Sequence, residues 1–263
     1  MIENKVLIKN LETHYKIFGP PTPEASAGQS QREPFLILHG WGSNLDRWQK
    51  VAEILAQKYL VIVPDLPGFG KSQEPLQSWS IDNYVDWLSE FIGTLPELGE
   101  GFYLAGHSFG GALATKFTIR YNQQVKKLLL ISSACIRART LIRKIWYRIA
   151  KMMKVLSFLP GYTTLRKSVY KFVLRKSDYL SVSGVMKETY LRVISDDLSH
   201  KINFLKVPTI IIWGDKDEST PITEGEFIHH RIQHSTLVII NGADHSPHIK
   251  MPETLAQKIL ENT

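Results

Sequence analysis

The sequence predicts an α/β fold: a mostly parallel β-sheet flanked by helices, with a helical lid inserted into it. Three observations carry that expectation. Short apolar runs at Phe35–Leu38, Leu60–Val63, Phe102–Leu104, Leu128–Ile131, Thr209–Trp213 and Leu237–Ile240 have the length of strands buried on both faces, and several are rich in Val and Ile. Segments between them, Trp48–Gln57, Ile81–Leu95 and Ala112–Tyr121, have helical apolar spacing. The alternation then stops after Cys135 and resumes only at Val207-Pro208-Thr209.

Taken in order, Val6–Lys9 and Thr13–Phe18 read as two opening strands. Gly19-Pro20-Pro21-Thr22-Pro23 then begins a long surface loop that ends near Glu33. The strand and helix segments named above follow as far as Cys135. In the interruption, Leu141, Ile142, Ile145, Trp146, Ile149, Met152, Met153 and Leu156 recur at three and four, and Pro160-Gly161 joins helix-like pieces. The expected organisation is a core of residues 1–136 and 201–263 with a lid of residues 137–200, placed over the carboxyl ends of the strands where ligands of open α/β sheets bind.

With 263 residues and 43% hydrophobic positions, the chain can enclose one core with an insertion. No run of about 18 apolar residues is present. The start, Met1-Ile2-Glu3-Asn4-Lys5, lacks the pattern of a secretory signal. The lone Cys135 cannot form an internal disulfide, suits a reduced compartment and reads as a buried small hydrophobe. Cytoplasmic localisation is the expectation.

Charge is unevenly distributed. Lys and Arg number 32 against 25 Asp and Glu, a net +7. Twelve of the basic residues lie between Arg137 and Ser177, where there is no acid, so the other 20 against 25 leave the rest of the chain at −5. An amphipathic basic stretch of this kind packs its apolar stripe on its own domain or rests on an anionic membrane surface, which would make the protein peripheral to the membrane. No nucleic-acid-binding motif accompanies the charge, so no specific nucleic-acid partner is expected.

The sharpest local signal is Tyr103-Leu104-Ala105-Gly106-His107-Ser108-Phe109-Gly110-Gly111, a strand running into Gly-x-Ser-x-Gly and then into a helix. Glycines two residues to either side of Ser108 leave room for a tight turn that lifts its hydroxyl above the sheet as a nucleophile. With this motif stand Leu38-His39-Gly40-Trp41-Gly42, Pro64-Asp65-Leu66-Pro67-Gly68-Phe69-Gly70-Lys71-Ser72, Trp213-Gly214-Asp215-Lys216-Asp217 and Gly242-Ala243-Asp244-His245-Ser246-Pro247-His248. In that order the motifs resemble the α/β-hydrolase superfamily, and its serine carboxylesterase and lipase-like members, over almost the whole chain.

A serine hydroxyl needs an imidazole to take its proton, and the imidazole needs an acidic orienter. The resemblance implies Asp217 as the acid and His245 as the base, in the chain order Ser, acid, His. Asp215 is the rival acid but falls too early in the Gly-x-x-Asp pattern that begins at Gly214; His248 is the rival base, and His245 fits the Gly-x-x-His pattern from Gly242. The chain departs from the family at Asp244, where Gly is frequent, and at Lys250, where an acid is frequent. The resemblance also places the oxyanion donors on the main-chain N–H groups of Trp41 and Phe109. His39 is expected to support its loop.

Other signals are structural. Gly68-Phe69-Gly70-Lys71-Ser72 lacks the spacing of a phosphate loop, and His229, His230 and His234 read as a polar helix end and not as a metal site. The serine mechanism needs no metal and no cofactor.

The expected function is hydrolysis of carboxylic esters through an acyl-enzyme at Ser108, on a small-molecule ester with an apolar acyl group. Leu141, Ile145, Trp146, Ile149, Met152, Met153, Leu156, Phe158, Tyr162 and Leu165 are candidates for the acyl pocket or for packing on the core. Serine-dependent cleavage of carbon-carbon bonds, lactones or amides is the alternative. The resemblance implies Gly-His-Trp around the base in carbon-carbon hydrolases, whereas this chain has Asp244-His245-Ser246. A noncatalytic hydrolase-like binding protein is the remaining reading.

Overall fold

The computed structural model describes residues 1–19, 32–99, 101–137 and 183–263. Its centre is an eight-stranded sheet in the order β1-β2-β4-β3-β5-β6-β7-β8. The strands are β1 (Ile2–Ile8), β2 (Leu11–Phe18), β3 (Pro34–Leu38), β4 (Leu60–Pro64), β5 (Phe102–His107), β6 (Val125–Ile131), β7 (Thr209–Gly214) and β8 (Ser235–Ile240). β1 and β2 form an antiparallel hairpin and β2 pairs antiparallel with β4; every pairing from β4 through β3, β5, β6 and β7 to β8 is parallel.

The continuous apolar runs follow from burial of the sheet on both faces. Side chains alternate across a strand. Phe35, Ile37, Val61, Val63, Ala105, Leu129, Ile131, Ile210 and Ile212 therefore pack on one face, against helix α1 (Gln49–Leu55) and the C-terminal helix Pro252–Asn262. Their neighbours Leu36, Leu38, Ile62, Leu104, Leu128, Leu130, Ile211 and Trp213 pack on the other, against α2 (Ile81–Gly93), α3 (Phe109–Arg120) and the helix Ile222–Arg231.

The strands extend the apolar runs at one or both ends. β1 begins at Ile2, and Lys9 and Asn10 form the hairpin turn in left-handed conformations. A 3₁₀ turn, Leu45–Trp48, precedes α1, and α2 stops at Gly93. α3 begins at Phe109, three residues before the sequence pattern, because the Ser108 carbonyl already accepts the Gly111 and Ala112 N–H groups. β8 departs from expectation: it forms the sheet edge, and Ile239 is 43% exposed, so only part of it is covered.

Between β6 and β7 lies an inserted helical region. The expected lid of residues 137–200 falls mostly on 138–182, outside the described residues, as do the pocket candidates from Leu141 to Leu165 and most of the basic stretch. The loop from Pro20 to Gln31 lies outside them too. The described part includes the helix Gly184–Ser195. The two ends of the insertion lie side by side: Leu198 N–H donates to the Cys135 carbonyl at 3.0 Å and Arg137 N–H to Asp197 Oδ1 at 3.3 Å. Lys116 Nζ of α3 binds both Asp82 of α2 at 2.7 Å and Asp196 at 2.6 Å, which ties the returning chain to the core.

The strand order also fixes where a ligand can approach. From β3 the chain passes to β4 on one side and then crosses to β5 on the other, so β3 and β5 are neighbours whose following loops diverge. Such a switch point opens a crevice at the carboxyl ends of the strands. His39-Gly40-Trp41 leaves β3 there and Ser108 leaves β5.

Candidate active site

Ser108 joins β5 to α3 with φ 52° and ψ −116°, a conformation outside the usual regions for a side-chain-bearing residue. A residue held this way costs about 1–3 kcal/mol and persists only where its surroundings enforce it. Here Ser108 N–H donates to the Ile131 carbonyl at 3.1 Å, and the Ser108 carbonyl also accepts Ala134 N–H at 3.0 Å. The flanking glycines permit the turn by close approach. A Cβ on Gly106 would collide with the Gly110 carbonyl, and one on Gly110 with the Leu38 carbonyl of β3.

The structure brings Ser108, His245 and Asp217 together from the ends of three strands. His245 Nε2 lies 3.1 Å from Ser108 Oγ, and Nδ1 lies 2.8 Å from Asp217 Oδ2. With the proton on Nδ1 donated to the carboxylate, Nε2 accepts from the serine hydroxyl, and a proton can pass from Ser108 to the ring.

The Asp217 side chain is wholly buried. Burial opposes its charged form, but the His245 hydrogen bond and charge, with the Thr220 main-chain and side-chain donors, outweigh it and hold the carboxyl below its ordinary range. Oδ1 accepts the N–H groups of Ser219 at 2.8 Å and Thr220 at 2.9 Å, and Oδ2 also accepts Thr220 Oγ–H at 2.8 Å. Thr220 Oγ lies 3.2 Å from His245 Nδ1, and Trp213 Nε1–H donates to the Thr220 carbonyl at 2.7 Å. Sequence reasoning missed Thr220. Its signal was an Asp followed by Ser219-Thr220, a pattern in which the carboxylate caps a turn.

The rival residues stand elsewhere. Asp215 Oδ1 accepts Gly242 N–H at 2.6 Å and so ties two turns together. His248 is buried and stacks on Trp48 with ring centroids 4.4 Å apart and planes 5° from parallel. Burial, then the neighbouring His245 and Arg47 charges, bring its pKa down to about 3. His39 is buried as well: its Nδ1–H donates to the Gly40 carbonyl at 2.8 Å, and its Nε2 accepts Leu66 N–H at 2.9 Å. That fixes a neutral tautomer in a loop-supporting place, and burial pushes its pKa down.

The two departures from the family pattern meet each other, since Lys250 and Asp244 form an ion pair, and Asp244 Oδ1 caps Ser246 N–H at 2.9 Å. In the Asp65 segment the carboxylate accepts Leu45 N–H at 2.7 Å and Lys71 N–H at 2.8 Å, and His14 Nδ1 lies 3.0 Å away. It is a turn organiser. Cys135 is buried and free. Among the described residues, no group of three or more His, Cys, Asp or Glu is placed to hold a metal ion, and no helix is long and apolar enough to cross a membrane.

The Trp41 and Phe109 rings meet edge to face with centroids 5.6 Å apart. Phe109 N–H opens α3 and Trp41 N–H follows β3. Phe69 meets Trp41 edge-on at 4.9 Å, Tyr84 meets Phe109 at 5.1 Å, and Tyr190 of the inserted helix lies 5.1 Å from Trp41. That helix is seated on the same loops: Trp79 N–H donates to Thr189 Oγ at 3.0 Å, and Met186 fills the space beside Gly68. The loops after β3 and β4 and the start of α3 are thus joined by packed aromatic rings.

Comparison with known proteins agrees with this architecture. A family model for the alpha/beta hydrolase fold matches residues 33–156. Lipase 3 of Moraxella sp. strain TA144 is 25% identical over 241 residues, which cover 83% of this chain and 73% of that protein. A membrane phospholipase A, described as a bacterial virulence factor, superposes with a TM-score of 0.74 at 25% identity, covering 99% of this chain and 84% of that one. A meta-cleavage product hydrolase from Pseudomonas fluorescens IP01 superposes with a TM-score of 0.70 at 22% identity, covering 98% and 96%.

Proposed function

Because the chain belongs to the α/β-hydrolase superfamily, whose serine-hydrolase-type enzymes are its relatives, we propose that it hydrolyses carboxylic esters through an acyl-enzyme at Ser108. The observation that carries this reading is the proton-transfer line of 3.1 Å and 2.8 Å from Ser108 through His245 to Asp217.

Ser108 Oγ attacks the ester carbonyl while His245 Nε2 takes its proton, and Asp217 holds the resulting imidazolium by the Nδ1–H bond. The oxyanion is received by the Trp41 and Phe109 main-chain N–H groups. His245 then gives its proton to the departing alcohol. A water molecule, deprotonated by the same nitrogen, attacks the acyl-enzyme and releases the acid. The aromatic side chains carried by the loops that meet at Ser108, Trp41 and Phe109 among them, support a small substrate with an apolar acyl group.

Residues 137–200 form the lid in this reading, and residues 1–136 and 201–263 the core. Its support is the pairing of the insertion's two ends and the seating of the helix Gly184–Ser195 beside Trp41. A weak contact of the basic stretch from Arg137 to Ser177 with anionic membrane surfaces belongs to this reading on the ground of its charge alone, and cytoplasmic placement accords with the free Cys135. Flotation with neutral and anionic liposomes at low and high salt tests the surface contact; binding that ignores both charge and salt, or no binding at all, defeats it.

The test of the chemistry is a series of p-nitrophenyl esters of increasing chain length with Ser108→Ala as background, joined to mass spectrometry after a serine-directed organophosphorus probe. Turnover lost in Ser108→Ala and adduct mass on Ser108 are the expected results. An accessible, folded enzyme left unmodified at Ser108 would defeat the reading. The second reading, hydrolysis of carbon-carbon bonds in vinylogous diketones, lactones or amides, uses the same three groups. It draws support from the same aromatic side chains, which also suit such substrates. Turnover of those substrates with inactivity toward every ester would select it.

A further inference from the structure

Beside His245 the structure holds a cluster of buried rings that the proton-transfer line does not use. His107, the residue before the nucleophile, is buried, and its Nε2 lies 2.7 Å from the main-chain carbonyl of His245. A carbonyl only accepts, so Nε2 carries the proton and donates it. The His107 ring centroid is 5.0 Å from His245, 4.5 Å from His248 and 6.0 Å from Trp48.

On its other edge, the His107 ring reaches the loop that carries Trp41. A Cβ on Gly40 would come within 2.9 Å of His107 Nδ1, so the glycine leaves the space that the ring occupies. One side chain thus touches the loop after β3, belongs to the strand that presents Ser108, and bonds the loop after β8 that carries His245. The bond spans 138 residues of sequence.

The charged state of this cluster is constrained by what surrounds it. The groups facing His107 are His248, His245 and, farther off, His39, with the Trp48 ring closing the wall. None is an acid. Desolvation first, then the His248 and His245 charges, keep its pKa well below the ordinary value. Among the described residues Nδ1 has no acceptor to take a proton, in keeping with the proton on Nε2.

We propose that His107 is a positioning residue of the hydrolytic reaction: as a neutral Nε2–H donor it fixes the main chain of His245 to the nucleophile-bearing strand and so sets the distance between imidazole and serine. This rests on the ester-hydrolase reading for its kinetic consequence, whereas the tautomer and the hydrogen bond stand apart from it.

Two replacements separate donation from bulk. Gln can place an N–H donor near the position of Nε2; Met has similar length and no donor. We expect His107→Met to lower kcat by about 10- to 100-fold, the scale on which a misplacement of about 1 Å acts, with KM within about twofold. His107→Gln should recover most of the loss. Equal activity of the Gln and Met variants, both folded by circular dichroism, would overturn the proposal, because volume and not donation would then matter.

Nitrogen NMR of the imidazoles in the wild-type chain provides the second measurement and needs no turnover. The expected state of His107 is a single neutral tautomer with its proton on Nε2, unchanged from pH 8 to about pH 5.5, below the ordinary histidine value. A proton on Nδ1, or a doubly protonated ring in that interval, would overturn the proposal. If the wild-type enzyme neither turns over any substrate nor reacts with the serine probe, the hydrolase reading fails by itself, and the NMR result still decides the hydrogen bond.

Discussion

His245 meets two regions of different electrostatic character. In the first, Asp217 is a buried carboxylate surrounded by donors: two main-chain N–H groups, the Thr220 hydroxyl and the imidazole itself. In the second, His107, His248 and Trp48 form a buried wall in which the two histidines have lowered pKa values. The difference teaches how one ring can exchange a proton in a fixed direction. The Asp217 side fixes which imidazole nitrogen bears the proton, while the rear wall keeps its own two histidines neutral.

The largest expected effect comes from breaking the Asp217 side. Asp217→Asn preserves size and one acceptor oxygen, which Ser219 and Thr220 can still bond. An amide N–H directed at Nδ1, however, forces the other imidazole tautomer, and Nε2 then cannot accept the Ser108 proton. A fall in kcat of about 10⁴-fold is expected, measured on the best p-nitrophenyl ester against the Ser108→Ala background. A loss below tenfold would mean that Asp217 is not the orienting acid.

Thr220→Val tests the same region more gently. It deletes one donor to Asp217 Oδ2 and leaves the main-chain donors in place. Loss of a hydrogen bond to a buried charge costs about 1.5–3 kcal/mol, so stability should fall by that order and kcat by about tenfold. Urea titration and steady-state kinetics read the two effects. If neither changes, the hydroxyl is a bystander and the carboxylate is held by the main chain alone.

The rear region should reveal itself through pH. A histidine that folds neutral, with its pKa depressed, contributes stability that is complete above the unfolded pKa. That contribution is lost as pH falls toward the folded value. For His248 the window runs from 6.5 down to about 3. Asp217 follows the same direction of loss but in a lower window, below its ordinary value of 3.8. Between pH 7 and pH 5 the titration of His248 should therefore cost about 2 kcal/mol, while the Asp217 contribution stays nearly whole. His248→Phe keeps an aromatic ring against Trp48 and removes the titration. Its unfolding free energy should decline less than that of the wild type over this interval, by about 2 kcal/mol. Parallel decline of the two proteins would show that His248 charges in the folded state.

These contrasts bear on what a single sequence discloses. Ser108, Asp217 and His245 were legible because each lies in a local pattern of glycines and turn residues, and their order along the chain matched a known arrangement. The six parallel strands were legible because burial on both faces leaves continuous apolar runs. The rear wall was not. Trp48, His107 and His248 come from three separate segments, and nothing in the local spacing of any one of them announces the stack at 4.4 Å or the carbonyl bond at 2.7 Å. Ser132 was missed for the same reason. Its left-handed backbone, φ 44°, supports a carbonyl 3.3 Å from the Thr220 hydroxyl, a contact across 88 residues. The partial exposure of β8 was missed because a run such as Leu237–Ile240 reads alike at the centre and at the edge of a sheet.

The smallest effect should come from the outer surface of the His245 loop, and its smallness is informative. Lys250 and Asp244 pair there with side chains 67% and 36% exposed. An exposed pair is worth about 0–1 kcal/mol, so Lys250→Ala should leave stability within that range and kcat within twofold. Asp244→Gly removes the pair and also the cap on Ser246 N–H, and should cost slightly more stability while leaving the rate within a few-fold. The loop would then be placed from within, by the carbonyl that His107 binds and by the imidazole that Asp217 holds. A hundredfold loss of kcat in Asp244→Gly, with the fold intact, would invert that conclusion. It would make the surface pair the device that positions His245 and leave the buried rear wall as packing.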